Sequence, residues 1–116
     1  MTAIERQQIG PRLSQACAYG PTVYLAEQVA DDPSADVSGQ TEQILREVDQ
    51  LHAGAGTDKT KLLSATIWLA DMATFADMNK VWDAWVAPGN TPACACVEAK
   101  LAAPQWKVEI GIIAAR

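Results

Sequence analysis

The chain has 116 residues, which fits one domain spanning residues 1–116 and leaves no room for a second one of ordinary size. Nine Lys and Arg residues stand against 14 Asp and Glu residues, so the net charge is −5. The sequence contains no basic cluster, and this charge balance disfavours nucleic acid as a partner.

Short features of the chain bear on its compartment and redox state. The longest apolar stretches, residues 62–70 and 110–115, fall far short of the roughly 18 residues that would span a bilayer. The N-terminus lacks the basic start and apolar run of a signal peptide, and the cysteine count of three is odd. We therefore expect a cytoplasmic protein with reduced thiols and no membrane segment.

Two extended runs near the N-terminus, residues 13–18 and 22–30, are separated by a Gly-Pro pair and predict a β-hairpin. The two-residue repeat of a strand places Glu27 in line with the aliphatic Val23 and Leu25. A carboxylate buried among aliphatic side chains is costly unless it faces a cavity or a partner. This position therefore favours a functional role for Glu27.

Two single-faced helices follow the hairpin. Apolar residues recur at spacings of three and four over residues 39–53, which predicts a helix with one buried stripe and with His52 on its edge. Residues 62–70 are typical of a strand, and Asp71 is placed to cap a second helix that ends at Pro88. We interpret His52 as a boundary residue, and with one His and three Cys in the chain we predict no metal site.

Two more strands, residues 93–101 and 106–114, complete the order hairpin, helix, strand, helix, strand, strand. This order predicts an α+β fold in which two helices cover one face of a mixed sheet. We expect the uncovered face to carry aliphatic residues such as Val23, Ile110 and Ile112, and a face of that kind needs a partner. The four Trp residues are interpreted as core.

Four segments carry a resemblance to a known family: Ile9-Gly10-Pro11, residues 23–29, residues 90–98 (Asn-Thr-Pro-Ala-Cys-Ala-Cys-Val-Glu) and Val108-Glu109-Ile110. Through these motifs the chain, from about Ile4 to Ala115, resembles the RidA (YjgF) family of imine and enamine deaminases. The resemblance implies a chorismate-mutase-like α+β fold and a homotrimer whose sheets form a central barrel with a pocket at each interface. It also implies cofactor-independent hydrolysis of enamines and imines, such as 2-aminoacrylate, to a 2-keto acid and ammonia.

The resemblance also implies a set of site residues. Cys94 stands where the family usually has an Arg that grips the substrate carboxylate through two parallel hydrogen bonds. Cys96 matches a pocket Cys, and Glu109 matches a Glu that positions the attacking water. Asn79 matches a pocket-lining position, and Arg12, which stands where many members have Tyr, is a cation that could replace the missing anchor.

Two departures alter the activity that the resemblance implies: Cys94 in place of the Arg, and Glu27 in place of a Gly. Loss of a charged partner weakens substrate binding by on the order of 3 kcal/mol, and an ionised Glu27 repels a carboxylate. We therefore expect weak turnover of 2-aminoacrylate. Two alternatives stay open: an engineered or diverged pocket that uses Cys94 and Glu27 for thiol-based catalysis or for binding a small ligand or metal ion, and a structural trimer with an inactive site. The candidate catalytic residues are thus Glu109, Cys94 and Glu27, and the candidate substrate-binding residues are Arg12, Asn79 and Cys96.

Overall fold

A computed structural model of the chain describes residues 3–116, which contain six strands and two α-helices. The strands are β1 (Ile4–Ile9), β2 (Ser14–Tyr19), β3 (Thr22–Leu25), β4 (Leu62–Leu69), β5 (Ala93–Glu98) and β6 (Val108–Ala115), and the helices are α1 (Val37–Ala55) and α2 (Phe75–Trp85). The strands form one sheet in the order β1-β2-β3-β6-β4-β5, in which β4 and β5 run parallel and all other neighbours are antiparallel. The predicted α+β class, with a mixed sheet and two helices, is confirmed.

Helix α1 is longer than the sequence predicts and buries one stripe against the sheet. Asp36 caps its N-terminus, where the carboxylate accepts a hydrogen bond from the Gly39 backbone N–H at 2.8 Å. Gly56 ends it in the left-handed conformation, with a φ of 80° that glycine adopts without steric cost. The predicted edge position of His52 is wrong: the side chain is fully buried, and neither ring nitrogen has a hydrogen-bond partner among residues 3–116. The buried stripe of α1 continues through its last turn, where Leu51 and Ala55 are buried beside His52, so His52 lies within the stripe.

Helix α2 is preceded by a short 3₁₀ turn, Met72–Thr74. Asp71 caps this turn rather than α2 itself, since its carboxylate accepts a hydrogen bond from the Ala73 backbone N–H at 2.9 Å. The helix ends at Trp85, short of the predicted end at Pro88. No helix among residues 3–116 is long and apolar enough to cross a bilayer.

The sheet has two chemically different faces, and the helices cover only one of them. Alternate residues of the central strands, including Val23, Ile67 and Ile110, are buried under α1 and α2. The aliphatic residues predicted for the uncovered face therefore lie on the covered face, because the strand repeat alone does not say which side the helices occupy. The open face is made of the other alternate residues of these strands: Thr22 and Tyr24 on β3, Ser64, Thr66 and Trp68 on β4, and Glu109, Gly111, Ile113 and Ala115 on β6.

The two edges of the sheet differ in how well the sequence predicts them. Strands β2 and β3 form the predicted hairpin. Strand β1 is absent from the prediction because its sequence, IERQQI, is mostly polar. Within residues 3–116 it pairs with β2 alone and is largely exposed, so it needs no apolar repeat. Strand β5 forms the opposite edge and pairs only with β4.

Candidate functional site

Glu27 reaches the open face through an extra residue between β3 and β6. Tyr24 pairs with Ile113, whereas Gln28 pairs with Ile110, so four residue steps on one segment oppose three on the other. An extra residue of this kind, a β-bulge, reverses the alternation of side chains and turns Glu27 to the side opposite the buried residues of β3. The prediction that Glu27 lies in line with those aliphatic residues is wrong for this reason.

A cavity of about 300 Å³ opens on the open face next to Glu27. Tyr24 and Trp68 line it with aromatic rings, and Ser64 and Thr66 line it with hydroxyl groups. None of the residues that line this cavity carries a positive charge. The cavity therefore has the size and polarity for a small, partly apolar molecule, and its own lining offers no cation to neutralise a carboxylate.

Gly111 lies beneath this cavity and allows two side chains to approach the backbone of β6. A Cβ atom at this position would lie 3.0 Å from Cγ of Glu27 and 3.4 Å from a ring carbon of Trp68. Trp68 is half-buried on the open face, so its predicted core position is wrong. Neither Gly111 nor Trp68 is among the predicted site residues, although a glycine inside a strand is a known sign of close approach.

Glu109 lies on β6 opposite Trp68 of β4 and is half-buried on the same face as Glu27. Burial raises the pKa of the Glu109 carboxyl, and the negative charge of Glu27 raises it further. A carboxyl with a raised pKa exchanges protons more readily near neutral pH, which is what a general acid–base group requires. The structure thus brings two of the six candidate residues together.

Cys94 and Cys96 lie on the other side of the sheet. In the parallel pairing of β4 and β5 they are opposite Ala65 and Ile67, which are buried under the helices. Burial raises the pKa of both thiols, and Cys94 raises the pKa of Cys96 further. Both thiols are therefore protonated at neutral pH, which disfavours a thiolate nucleophile. Glu27 is on the opposite side of the sheet and does not serve as their base within one chain.

Comparison with known proteins identifies the family. The family model described as endoribonuclease L-PSP matches residues 5–116, and a RutC family protein from Haemophilus ducreyi is 47% identical over 112 residues, which cover 97% of this chain and 96% of that protein. The chain belongs to the RidA/YjgF family. A crystal structure of a YjgF family member from Neisseria meningitidis has 43% sequence identity and a TM-score of 0.96, and the match covers 98% of this chain and 95% of that one.

A RidA/YjgF relative with a named activity is more distant. The 2-iminobutanoate/2-iminopropanoate deaminase of the rat is 29% identical over 107 residues, which cover 87% of this chain and 77% of that protein. The similarities confirm the family and the fold that the sequence motifs imply.

In this RidA/YjgF chain the remaining candidate residues are spread over the width of the sheet. Arg12 is exposed in the turn that joins β1 to β2, next to one edge, and Asn79 is half-buried on α2, on the same side of the sheet as Cys94. At least four strand spacings of roughly 4.8 Å separate Arg12 from Cys94, which is on the order of 19 Å across the sheet. One chain therefore does not gather the six candidates into one pocket.

Proposed function

We propose that this chain forms a homotrimer that hydrolyses reactive imines and enamines in crevices between its copies. Membership of the family and the imine deaminase among its relatives support this reaction class. The observation that carries the proposal is the Glu109 carboxyl, half-buried near Glu27 and Trp68 beside a small cavity on the open face.

The distribution of the candidate residues supports a site shared between copies. Glu27 and Glu109 lie on the open face, whereas Cys94 and Asn79 lie on the covered side near one edge. A second copy that packs against the open face can bring its own edge residues to the Glu27–Glu109 pair. The ring of Tyr24, which is nearly half exposed, gives this face apolar surface to bury in such a contact.

The proposed reaction is the addition of water to a protonated C=N bond. Ionised Glu109 accepts a proton from water as the water oxygen bonds to the iminium carbon, and the π electrons of the C=N bond move to the nitrogen. Glu109 then returns the proton to that nitrogen. The C–N bond then breaks, and the proton of the new hydroxyl group passes to the departing ammonia, which leaves as ammonium. The hydroxyl oxygen becomes the carbonyl oxygen of the product. The raised pKa of Glu109 favours both transfers at one carboxyl.

The charges at the cavity favour an iminium substrate without a carboxylate over 2-aminoacrylate. Glu27 and Glu109 are both acidic, and the thiol of Cys94 cannot make the two charged hydrogen bonds of an Arg. Like charges a few ångströms apart repel by about a kcal/mol or more even when well screened. A carboxylate is therefore repelled by the same pair that attracts a positive iminium group.

The name of the family model suggests RNA cleavage, but we do not propose this activity for the chain. The net charge is −5, and the two carboxylates at the proposed site repel a phosphate backbone. The three cysteines are free, which fits the cytoplasm that we propose as the place of action.

The proposal is tested by measuring aldehyde and ammonia release from a short-lived imine without a carboxylate, the one that a flavin amine oxidase releases from benzylamine. The wild-type chain is expected to accelerate its hydrolysis over the buffer rate. Glu109→Gln is expected to lose this acceleration by roughly 100-fold or more, because the proton acceptor is gone. Glu42→Gln, an exposed carboxylate of α1, is the matched control and is expected to keep it.

The double variant Cys94→Arg with Glu27→Gly restores the residues usual in the family and is expected to shift the preference towards freshly generated 2-aminoacrylate. Light scattering is expected to give about three times the chain mass of 12.4 kDa. A stable particle of one chain, or a Glu109→Gln variant as active as Glu42→Gln, would contradict the proposal.

A further inference from the structure

Cys94 and Cys96 form a pair of thiols at an open edge of the sheet. They are two residues apart on β5, and the repeat of a strand puts both side chains on the same side, with their Cα atoms about 6.6 Å apart. The exposed side chain of Cys94 can turn about its χ1 towards the sulfur of Cys96, which packs against the core. Among residues 3–116, no strand lies on the outer side of β5, and Cys94 is exposed, so ions from solvent reach the pair.

The chemistry of the pair favours a soft metal ion. Both cysteines are free, so neither sulfur is held in a disulfide. A soft metal ion binds by forming metal–sulfur bonds that displace the thiol protons. Sulfur ligands select soft ions such as Cu(I) over hard ions such as Mg²⁺.

The part of the chain that the structure describes supplies two ligands at this place and no third one. Among residues 3–116, no group of three His, Cys, Asp or Glu side chains is placed to hold one ion. Glu98, the next residue on the same side of β5, already accepts a hydrogen bond from the Met72 backbone N–H at 2.8 Å. Cys17 lies on β2, four strand spacings or roughly 19 Å away. Structural zinc requires four ligands, whereas Cu(I) is stable between two sulfur atoms in a line.

We propose that Cys94 and Cys96 bind one Cu(I) ion per chain as a two-coordinate dithiolate site. Two S–H bonds break, two Cu–S bonds form, both protons pass to solvent, and copper stays in the +1 state throughout. Both ligands come from one strand of one chain, so the metal site needs no residue of a second copy, although Cys94 is also one of the edge residues proposed to face the crevice for imine hydrolysis.

The test is an anaerobic titration of the full chain with Cu(I) in competition with bathocuproine disulfonate. The wild-type chain is expected to withdraw one equivalent of copper from the chelator. Cys94→Ser and Cys96→Ser are each expected to bind roughly 100-fold more weakly or worse, because one of two ligands is lost. Cys17→Ser is the matched control and is expected to bind as the wild type does.

A further variant keeps the test decisive. Cys96 packs against the core, so Cys96→Ala, which keeps the position apolar, is measured beside Cys96→Ser, with circular dichroism to establish that each variant is folded.

Two results would overturn the proposal. The first is equal affinity of Cys94→Ser and Cys17→Ser. The second is a stoichiometry of one ion per two chains, since that assigns the ion to a contact between copies. The readout is copper transfer rather than ammonia release, so failure of this site and failure of imine hydrolysis are observed separately.

Discussion

The covered and the open face of the sheet are built from alternate residues of the same strands, yet they contact different surroundings. On the covered face, Ile67 and Ile110 are fully buried against apolar neighbours. On the open face, their strand neighbours Trp68 and Glu109 are half-buried beside a cavity and an acidic side chain. The first set therefore stabilises a single chain, and the second leaves surface and charge for another molecule. The chemistry of the open face can therefore change while the fold is kept.

Removing the same side chain from each face should separate the two faces most strongly. Ile67→Ala is expected to lower the free energy of unfolding by roughly 2–5 kcal/mol, because it leaves a cavity under the helices. Ile113→Ala, on the open face of the adjacent strand, is expected to cost clearly less in a dissociated chain. Urea unfolding at low protein concentration measures both. Equal losses for the two variants would contradict the division between the faces.

The next effect concerns His52, on the covered side. Burial lowers its pKa, although Asp49 and Asp58 act in the opposite direction. The folded chain therefore resists protonation while the unfolded chain takes up a proton below about pH 6.5. Stability is fully present above that pH and falls as the pH drops towards the folded-state pKa, by up to about 1.4 kcal/mol per pH unit.

The variant His52→Leu, which is apolar and similar in volume, is expected to remove this slope. Urea midpoints at pH 7.5, 6.5 and 5.5 measure it, in a range above the ordinary pKa of most carboxyl groups. An unchanged slope in His52→Leu would show that another group carries the acid sensitivity.

The smallest effect on stability, and a clear effect on activity, is expected from Glu27 on the open face. Its charge contributes to the raised pKa of Glu109, so Glu27→Gln is expected to lower that pKa. The acid limb of the pH–rate profile for imine hydrolysis then moves to lower pH, while the urea midpoint changes little. Glu42→Gln is again the control, and a profile that moves equally in both variants would exclude coupling between Glu27 and Glu109.

Much of the covered face could be predicted from the sequence, because buried positions are occupied by apolar residues at regular spacings. The stripe of α1, the strand that became β4 and the two helices on one side follow from spacings of three, four and two. The polar edge strand β1 could not be predicted in this way, because exposed pairing leaves no apolar repeat.

The open face was less accessible to prediction, because its geometry depends on pairing between distant segments. The pairing of Gln28 with Ile110 sets the side of the sheet on which Glu27 lies. No local sequence pattern predicts this pairing. The family motifs give Glu109 and Cys94 as candidates but do not say that the two lie on opposite sides of the sheet. Gly111 was the one local sign of the cavity, and its meaning depends on Trp68 in another strand.

The extra residue before Gln28 has a consequence for how this scaffold can be varied. Deleting one codon between Tyr24 and Gln28 would restore regular pairing and present a different side chain to the cavity, with the buried isoleucines untouched. A one-residue insertion or deletion in this segment can therefore place a new reactive side chain at the cavity. Mutant libraries of fixed length do not sample this route, and libraries that insert or delete at residues 25–27 do.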